Sequence, residues 1–185
     1  MTKEIECRAA SSKDAKEMMT VQFKAVQSIS KKNYAKQVLS AWSPKPNSQR
    51  IQWFASFINN DNVRCYVATN KKSKVLGVAV YLISEQCVKS LYVDPKHSGN
   101  GIGTRLLKRI ERYANRKSAD KLHLKASTNS KHSSMVRCDK LKLFCFLSQG
   151  HFSLKSSMMS RRRINASEAC FLSVVIVVFF FNNTD

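Results

Sequence analysis

Closely spaced cysteine pairs are absent from this sequence, although its 185 residues include six cysteines. The cysteines are scattered without a CxxC pair, which excludes a disulfide framework and is typical of reduced, buried thiols. The one group worth testing as a metal site is Cys138, Cys145 and His151, and it lacks the paired close spacing of zinc ligands. We therefore expect no bound metal.

Long apolar runs are also few. The first residues, MTKEIECRAASSKD, reach charged side chains at once and contain no apolar core of a signal peptide, so a cytoplasmic location is expected. The apolar run at residues 171–181 is too short for a membrane span, which requires about 20 residues. We therefore expect no membrane span.

Acidic residues are scarce, because 12 Asp and Glu stand against 32 Lys and Arg, giving a formal net charge of +20. Such a charge attracts polyanions, so binding to nucleic acid or to a membrane surface is one alternative function. The excess is spread along the chain, and no segment resembles a helix-turn-helix, a zinc finger, an RNP motif or a basic and aromatic platform. We expect no specific nucleic-acid partner. The net charge is compatible with a solvated basic surface and also with a basic entrance to a binding site for an anionic cofactor.

A chain of this length forms one domain, and its patterns predict an α/β sheet of mixed direction with helices on both faces. Ser11 or Ser12 is a suitable N-cap for the first helix. The predicted strands span residues 4–10, 63–69, 75–83, 88–94 and 120–127. The predicted helices carry apolar stripes at Ala15, Met18, Met19, Phe23 and Val26, at Tyr34, Val38, Ala41 and Trp42, within residues 49–58, and from Ile102 to Ala114.

Three of the five glycines, Gly99, Gly101 and Gly103, fall within the segment SGNGIG, which we call the glycine loop (residues 98–103). A strand that runs through a glycine turn into a helix gathers free backbone N–H groups and the positive end of the helix dipole, and so favours phosphate. Thr104 and Arg105 stand where a Walker A loop needs Lys and Ser or Thr, and Thr104 also replaces the last glycine of a dinucleotide fingerprint. The glycines alone leave a purely structural turn open.

The segment LYVDPKHSGNGIGTRLLKRIERYA resembles motif A of the GNAT acyltransferases, with Ser98 where glutamine or arginine is usual. The resemblance spans about residues 3–132, which we expect to form the domain core. It implies the GNAT fold, an α+β arrangement with a mixed, mostly antiparallel sheet and a splay between strands 4 and 5. The segment KAVQSISKKNYAKQVLSAW further resembles small bacterial acetyltransferases of the YafP type.

This resemblance implies an N-acetyltransferase that moves an acetyl group from acetyl-CoA to a primary amine of a small molecule or protein. Backbone groups of Leu91, Tyr92 and Val93 are expected to hold the pantetheine arm, and Asn129 to approach the thiol. Backbone amides around the glycine loop would hold the pyrophosphate, namely those of Ser98, Gly99, Asn100, Gly101, Ile102, Gly103 and Thr104. Glu85 is the candidate base, and an ordinary exposed carboxylate is the alternative interpretation of it.

The family pattern ends after Asn129, and residues 133–185 form a divergent C-terminal region. The tyrosine that commonly protonates the leaving thiolate is missing: serines occupy its position in one alignment and Cys138 in another. A degenerate module that binds acyl-CoA with little turnover is therefore an alternative function. The run at residues 171–181 is compatible with a terminal strand, with an interface segment such as a homodimer would use, or with a non-native reading frame.

Overall fold

Seven strands and four α-helices lie within residues 5–29, 34–126, 142–147 and 177–178, which are the residues described by the structure, a computed structural model. The strands are β1 (Glu6–Ala9), β2 (Val63–Thr69), β3 (Val75–Leu82), β4 (Cys87–Val93), β5 (Lys121–Ala126), β6 (Lys142–Leu147) and β7 (Val177–Val178). The helices are α1 (Ala15–Gln27), α2 (Lys36–Trp42), α3 (Ser48–Ile58) and α4 (Ile102–Arg116).

The strands form one mixed sheet in the order β1-β2-β3-β4-β7-β5-β6. Strands β1 to β4 pair antiparallel with one another, whereas the pairings among β4, β5, β6 and β7 are parallel. The parallel step from β4 to β5 requires a crossover, which α4 supplies, because parallel neighbours cannot be joined by a tight turn. The mixed sheet predicted from the sequence is confirmed.

Helices cover both faces of the sheet, as predicted. Alternate residues of β2 point to opposite sides of the sheet. Val63, Cys65 and Val67 belong to the cluster packed by helices α1, α2 and α3, which we call the α1–α3 cluster. Tyr66 and Ala68 belong to the cluster packed by α4, which we call the α4 cluster. The α4 cluster is closed by the buried face of that helix, which comprises Ile102, Leu106, Leu107, Ile110, Tyr113 and Ala114. The glycine loop therefore lies where α4 begins to pack on the sheet.

The start of α1 is joined to β1 by a partly buried ion pair. The carboxylate of Asp14 accepts hydrogen bonds from both terminal nitrogens of Arg8, at 2.8 and 2.7 Å, and from the backbone N–H of Ser11 at 2.8 Å. The hydrogen bond from Arg8 is the main reason why the pKa of Asp14 is lowered to about 2. Ser11 is the N-cap of a 3₁₀ turn, Ser12–Asp14, that leads into α1, whereas the N-cap of α1 itself is Asp14 rather than the predicted Ser11 or Ser12.

The packed face of α2 differs from the predicted stripe. Val38 is 37% exposed, whereas Leu39, which the stripe omitted, is 3% exposed and belongs to the α1–α3 cluster. The backbone carbonyl of Leu39 also accepts a hydrogen bond from the side chain of Gln27 at 3.2 Å, so α1 determines which face of α2 turns inward. A helix of two turns contains too few residues for its apolar spacing to identify that face.

Candidate active site

The two central strands, β4 and β5, separate along their length. Residues 87–88 of β4 pair with residues 123–124 of β5, and no other pairing joins these strands within the described residues. Further along β4, Leu91 pairs with Val177, which pairs on its other side with Ala126 of β5. Neighbouring strands lie about 4.8 Å apart, so β4 and β5 are about 10 Å apart here. We call this space the β4–β5 cleft; it confirms the predicted splay.

A β-bulge in β4 accounts for the separation. Val80 of β3 pairs with Ser90 and Tyr81 pairs with Val88, so Lys89 is an extra residue in the β4 ladder. Such a residue bends its strand and increases the local twist. Because the bulge lies immediately after the last pair between β4 and β5, it turns β4 away from β5 at the mouth of the β4–β5 cleft.

Asp94 holds the chain where it leaves β4 and enters the turn before the glycine loop. The residue is 3% exposed, and its backbone N–H donates to the carbonyl of Leu76 at 2.8 Å. One carboxylate oxygen accepts from the backbone N–H of Lys96 at 3.0 Å, and the other lies 3.8 Å from the ammonium of Lys24 on α1. Asp94 thus joins β4, the turn and α1 at one point.

Asn100 closes the glycine loop from within. Its side-chain amide nitrogen donates to the carbonyls of His97 at 3.1 Å and Ser98 at 3.3 Å. The donor in these bonds is a side chain, so no backbone N–H group of the loop is needed to pair with the carbonyls of His97 and Ser98. We assign the side chain of Asn100 to holding the loop, in addition to the role predicted for its backbone.

Within the glycine loop, the backbone N–H of Ser98, which was predicted to hold the pyrophosphate, donates to the carbonyl of Pro95 at 3.3 Å. The N–H groups of the other loop residues have no backbone acceptor among the described residues. The first intrahelical bond of α4 runs from Arg105 N–H to the carbonyl of Gly101 at 3.0 Å, so the N–H groups of residues 102–104 precede it. No backbone hydrogen bond from the N–H of residues 99–101 joins them to another described residue. The start of α4 therefore presents a row of donors at the positive end of the helix dipole, which suits a phosphate.

Two of the three clustered glycines hold conformations that other residues resist. Gly99 has φ +75° and Gly101 has φ +68°, both in the left-handed region. A Cβ added at either position would meet no atom within 4 Å, so both face open space. Gly103 instead lies buried in the first turn of α4. The sequence prediction that these glycines serve a turn is confirmed for Gly99 and Gly101.

Gly77 on β3 allows α4 to approach the sheet next to the glycine loop. A Cβ built on Gly77 would lie 2.6 Å from a methyl carbon of Ile102 and 3.0 Å from a methyl carbon of Leu106. Ile102 is the first residue of α4 and is almost fully buried, at 1% exposure. Sequence reasoning missed this glycine, because it stands alone in an apolar strand; an isolated glycine of that kind is a signal of close backbone approach.

We expect Gly77→Ala to lower the free energy of unfolding by about 1 to 3 kcal/mol, the usual range for overpacking a tight core. Urea denaturation of the wild type and variant measures the difference. Ile102→Ala removes the methyl group that the new Cβ would meet, so the double variant should lose less stability than the two single losses added together. Strict additivity would contradict the close approach of β3 and α4.

The remaining predicted site residues lie at different distances from the glycine loop. Leu91, Tyr92 and Val93 form the last part of β4, directly before the turn. Glu85 is exposed in the turn before β4, at the opposite end of that strand, where β4 and β5 are still paired. Asn129 lies outside the described residues. The structure therefore brings the predicted pantetheine and pyrophosphate groups together and does not bring Glu85 to them.

Tyr92 connects the end of β4 to α2. Its hydroxyl accepts a hydrogen bond from the indole N–H of Trp42 at 3.2 Å, and its side chain belongs to the α1–α3 cluster. Burial raises the pKa of Tyr92, so this phenol stays protonated at neutral pH. The backbone of Tyr92 thus faces the β4–β5 cleft while its side chain stabilises the opposite helical layer.

The described residues contain no group of three or more His, Cys, Asp or Glu side chains arranged to hold a metal ion. Cys138 and His151, considered above as ligands, lie outside them. Among the helices in the described part of the chain, none has the length and apolar character needed to span a bilayer.

Comparison with known families identifies the chain. Residues 24–135 match the model of the acetyltransferase (GNAT) family, and this match covers more than half of the chain. The protein belongs to the GNAT acetyltransferase family. Comparison with curated protein sequences gave no match.

Solved structures of this family share the fold. A GCN5-related N-acetyltransferase from Rhodopseudomonas palustris aligns with a TM-score of 0.59 at 20% identity, covering 72% of this chain and 79% of that one. The PaiA N-acetyltransferase from Thermoplasma acidophilum, solved in complex with coenzyme A, aligns with a TM-score of 0.53 at 20% identity, covering 63% and 75%. At these identities the likeness extends to the fold, and the acceptor must be inferred from the site itself.

Proposed function

We propose that this protein transfers an acetyl group from acetyl-CoA to a primary amine of a small molecule or protein. One observation carries the proposal: the last residues of β4, which line the β4–β5 cleft, lead directly into a turn and helix start whose backbone N–H groups at residues 99–104 have no backbone acceptor among the described residues. An acyl donor that carries an amide-containing arm next to a pyrophosphate could place the arm along the end of β4 and the pyrophosphate at the start of α4. The chain reaches from one part to the other within residues 91–104.

Backbone amides at the start of α4 would hold the pyrophosphate. The N–H groups of residues 99–104 lack acceptors among the described residues, and the left-handed backbone of Gly99 and Gly101 leaves open space beside them. Hydrogen bonds between N–H groups and an anion are stronger than those between neutral groups. Ser98 stands where the family commonly has glutamine or arginine and lacks the longer side chain that supports the loop, so we assign more of the binding to the backbone in this chain.

The edge of β4 at the β4–β5 cleft would hold the pantetheine arm. Leu91, Tyr92 and Val93 are already paired with β3 on one side, so their remaining backbone groups face the cleft. Amide groups in an extended arm can bond to such an edge as an added strand does. Acetyl-CoA, when bound, supplies an activated acyl thioester at this edge.

The protein's own part in the reaction is to position the amine and to accept its proton. Attack on the thioester requires a neutral amine, so a base must hold the proton that the amine releases. We propose Glu85 for this role, with a carboxylate oxygen as acceptor. Because Glu85 lies exposed at the far end of β4 from residues 91–93, solvent would have to relay the proton to it. We also retain Asn129 as the residue proposed to approach the thiol.

Acetyl-CoA is expected to raise the melting temperature of the protein. A ligand present at 100 times its dissociation constant stabilises the folded state by about 2.7 kcal/mol. Differential scanning fluorimetry at increasing acetyl-CoA measures the shift, and thiol release with a panel of amines then tests transfer. Inorganic pyrophosphate is the control for simple attraction of an anion to a basic protein. No shift at millimolar acetyl-CoA, or an equal shift with pyrophosphate, would contradict the proposed function.

A further inference from the structure

The β4–β5 cleft is filled by a segment of the chain itself. Strand β7, Val177–Val178, pairs in parallel with residues 91–92 of β4. On its other side Val177 pairs with Ala126 of β5. The backbone groups of Leu91 and Tyr92 that the proposed function assigns to the pantetheine arm are therefore those along which β7 lies.

We propose that β7 is an internal competitor for acetyl-CoA: the chain's own extended backbone and the pantetheine arm bind the same edge of β4 and exclude one another. This inference rests on the proposed function. Since only alternate residues of a strand direct their N–H and carbonyl groups toward a given edge, that edge can pair with a single row of partners at a time. Residues 177–178 must leave Leu91 and Tyr92 before the arm can bind there.

The competitor is suited to being displaced. Strand β7 is two residues long, so few ladder hydrogen bonds hold it, and each contributes about 1 kcal/mol net. Its attachment to the chain offsets this weakness, because a tethered segment competes at an effective concentration of about millimolar. The run at residues 171–181 is rich in Val and Phe, residues with a high preference for strands. These properties predict that β7 occupies the edge of β4 in the absence of cofactor and that a high concentration of cofactor displaces it.

The two halves of the proposed site should respond differently to β7. The described pairings of β7 reach Leu91 and Tyr92, whereas the N–H groups of residues 99–104 have no acceptor among the described residues. Adenosine 3′,5′-bisphosphate carries the phosphate-bearing end of coenzyme A without its pantetheine arm. Its binding should therefore be independent of β7, while the binding of coenzyme A should depend on it.

The test compares four proteins by isothermal titration with coenzyme A and with adenosine 3′,5′-bisphosphate. They are the full chain, the chain ending at Cys170, a full chain with Val177→Pro and Val178→Pro, and a full chain with Val177→Ala and Val178→Ala. Proline removes the N–H that a ladder requires, whereas alanine keeps it. Removal of the competitor raises the fraction of protein molecules whose β4 edge is free to bind coenzyme A. We therefore expect the truncation and the proline pair to tighten coenzyme A binding by about tenfold or more.

The alanine pair should stay close to the full chain, and adenosine 3′,5′-bisphosphate should bind all four proteins alike. Equal coenzyme A affinity in the full chain, the truncation and the proline pair would overturn the competition and leave the proposed function standing. If none of the four binds coenzyme A, the proposed function is wrong and the competition falls with it. Loss of cooperative unfolding in both the truncation and the proline pair would show that β7 is a permanent strand, which also overturns the proposal.

Discussion

Gly101→Val is expected to weaken acetyl-CoA binding at least about a hundredfold, or about 2.8 kcal/mol. Gly101 has φ +68°, where a β-branched residue is strained by about 1 to 2 kcal/mol, so valine would pull the turn out of its present shape. The change also puts a side chain into the open space beside the N–H groups of residues 102–104. Titration calorimetry of the variant and the wild type measures the loss directly.

A matched control separates binding from strain. Ser118 has φ +54° just beyond the other end of α4 and is exposed, so Ser118→Val places a β-branched residue at a second left-handed position beside the same helix. Both variants should lose stability in urea, and Gly101→Val should lose more because serine already carries the Cβ that glycine lacks; no clash adds to that loss, since a Cβ at Gly101 meets no atom within 4 Å. Only Gly101→Val should lose acetyl-CoA. Wild-type affinity in Gly101→Val, or an equal loss in Ser118→Val, would show that the loop is a structural turn.

Turnover is expected to be slow compared with cofactor binding. Binding is proposed to use backbone amides, which the chain retains, whereas the tyrosine that the resemblance leads us to expect for protonation of the leaving thiolate is missing from the sequence. General acid catalysis contributes about a hundredfold to ten-thousandfold, so the protein should saturate with acetyl-CoA and acetylate amines slowly. A thiolate leaves without full assistance, which allows a low rate. Steady-state thiol release with saturating acetyl-CoA and amine measures it.

Two tyrosine variants test the origin of the low rate. Ser134→Tyr and Cys138→Tyr place the phenol at the two positions that the alternative alignments indicate; both residues lie outside the described residues. An increase in kcat with unchanged affinity for acetyl-CoA is expected in one of them, and the phenylalanine variant at the same position is the control. A wild-type rate of about ten per second, which is ordinary for enzymes, would show that another group already supplies the proton.

The glycine loop could be predicted because its signal is local. Strand, turn and helix follow one another without a gap, and glycine occupies both positions of the loop, 99 and 101, at which the backbone is left-handed. The hairpin of β2 and β3 was predictable for the same reason, since its two strands flank a short polar turn. In both cases, neighbouring residues determine the structure, and no distant contact has to be known.

The β4–β5 cleft could not be predicted in this way from residue patterns. Val88 and Leu91 both belong to the α4 cluster, although residues three apart in a regular strand point to opposite faces. The bulge at Lys89 resolves the conflict, and nothing in the local sequence marks it. The resemblance to the family supplied the splay, whereas alternation alone would have placed Leu91 on the wrong face.

Tertiary packing decided the other details that sequence patterns missed. Val38 and Leu39 are adjacent apolar residues on α2, and only the position of α1 distinguishes the inward one. Gly77 became informative once Ile102 and Leu106 were seen against it. The pairing of β7 with residues 91–92 joins segments far apart in the chain, for which residue patterns carry no register.

The edge of β4 also suggests how the enzyme could be inhibited. An edge that recognises backbone N–H and carbonyl groups does not distinguish the side chains of what it binds. A short extended peptide mimic should therefore enter the β4–β5 cleft, and linking it to a phosphate would add the donors at the start of α4. Such a compound would closely resemble neither acetyl-CoA nor the amine. Its selectivity would come from matching the distance between its peptide and phosphate groups to the distance between Leu91 and Gly101.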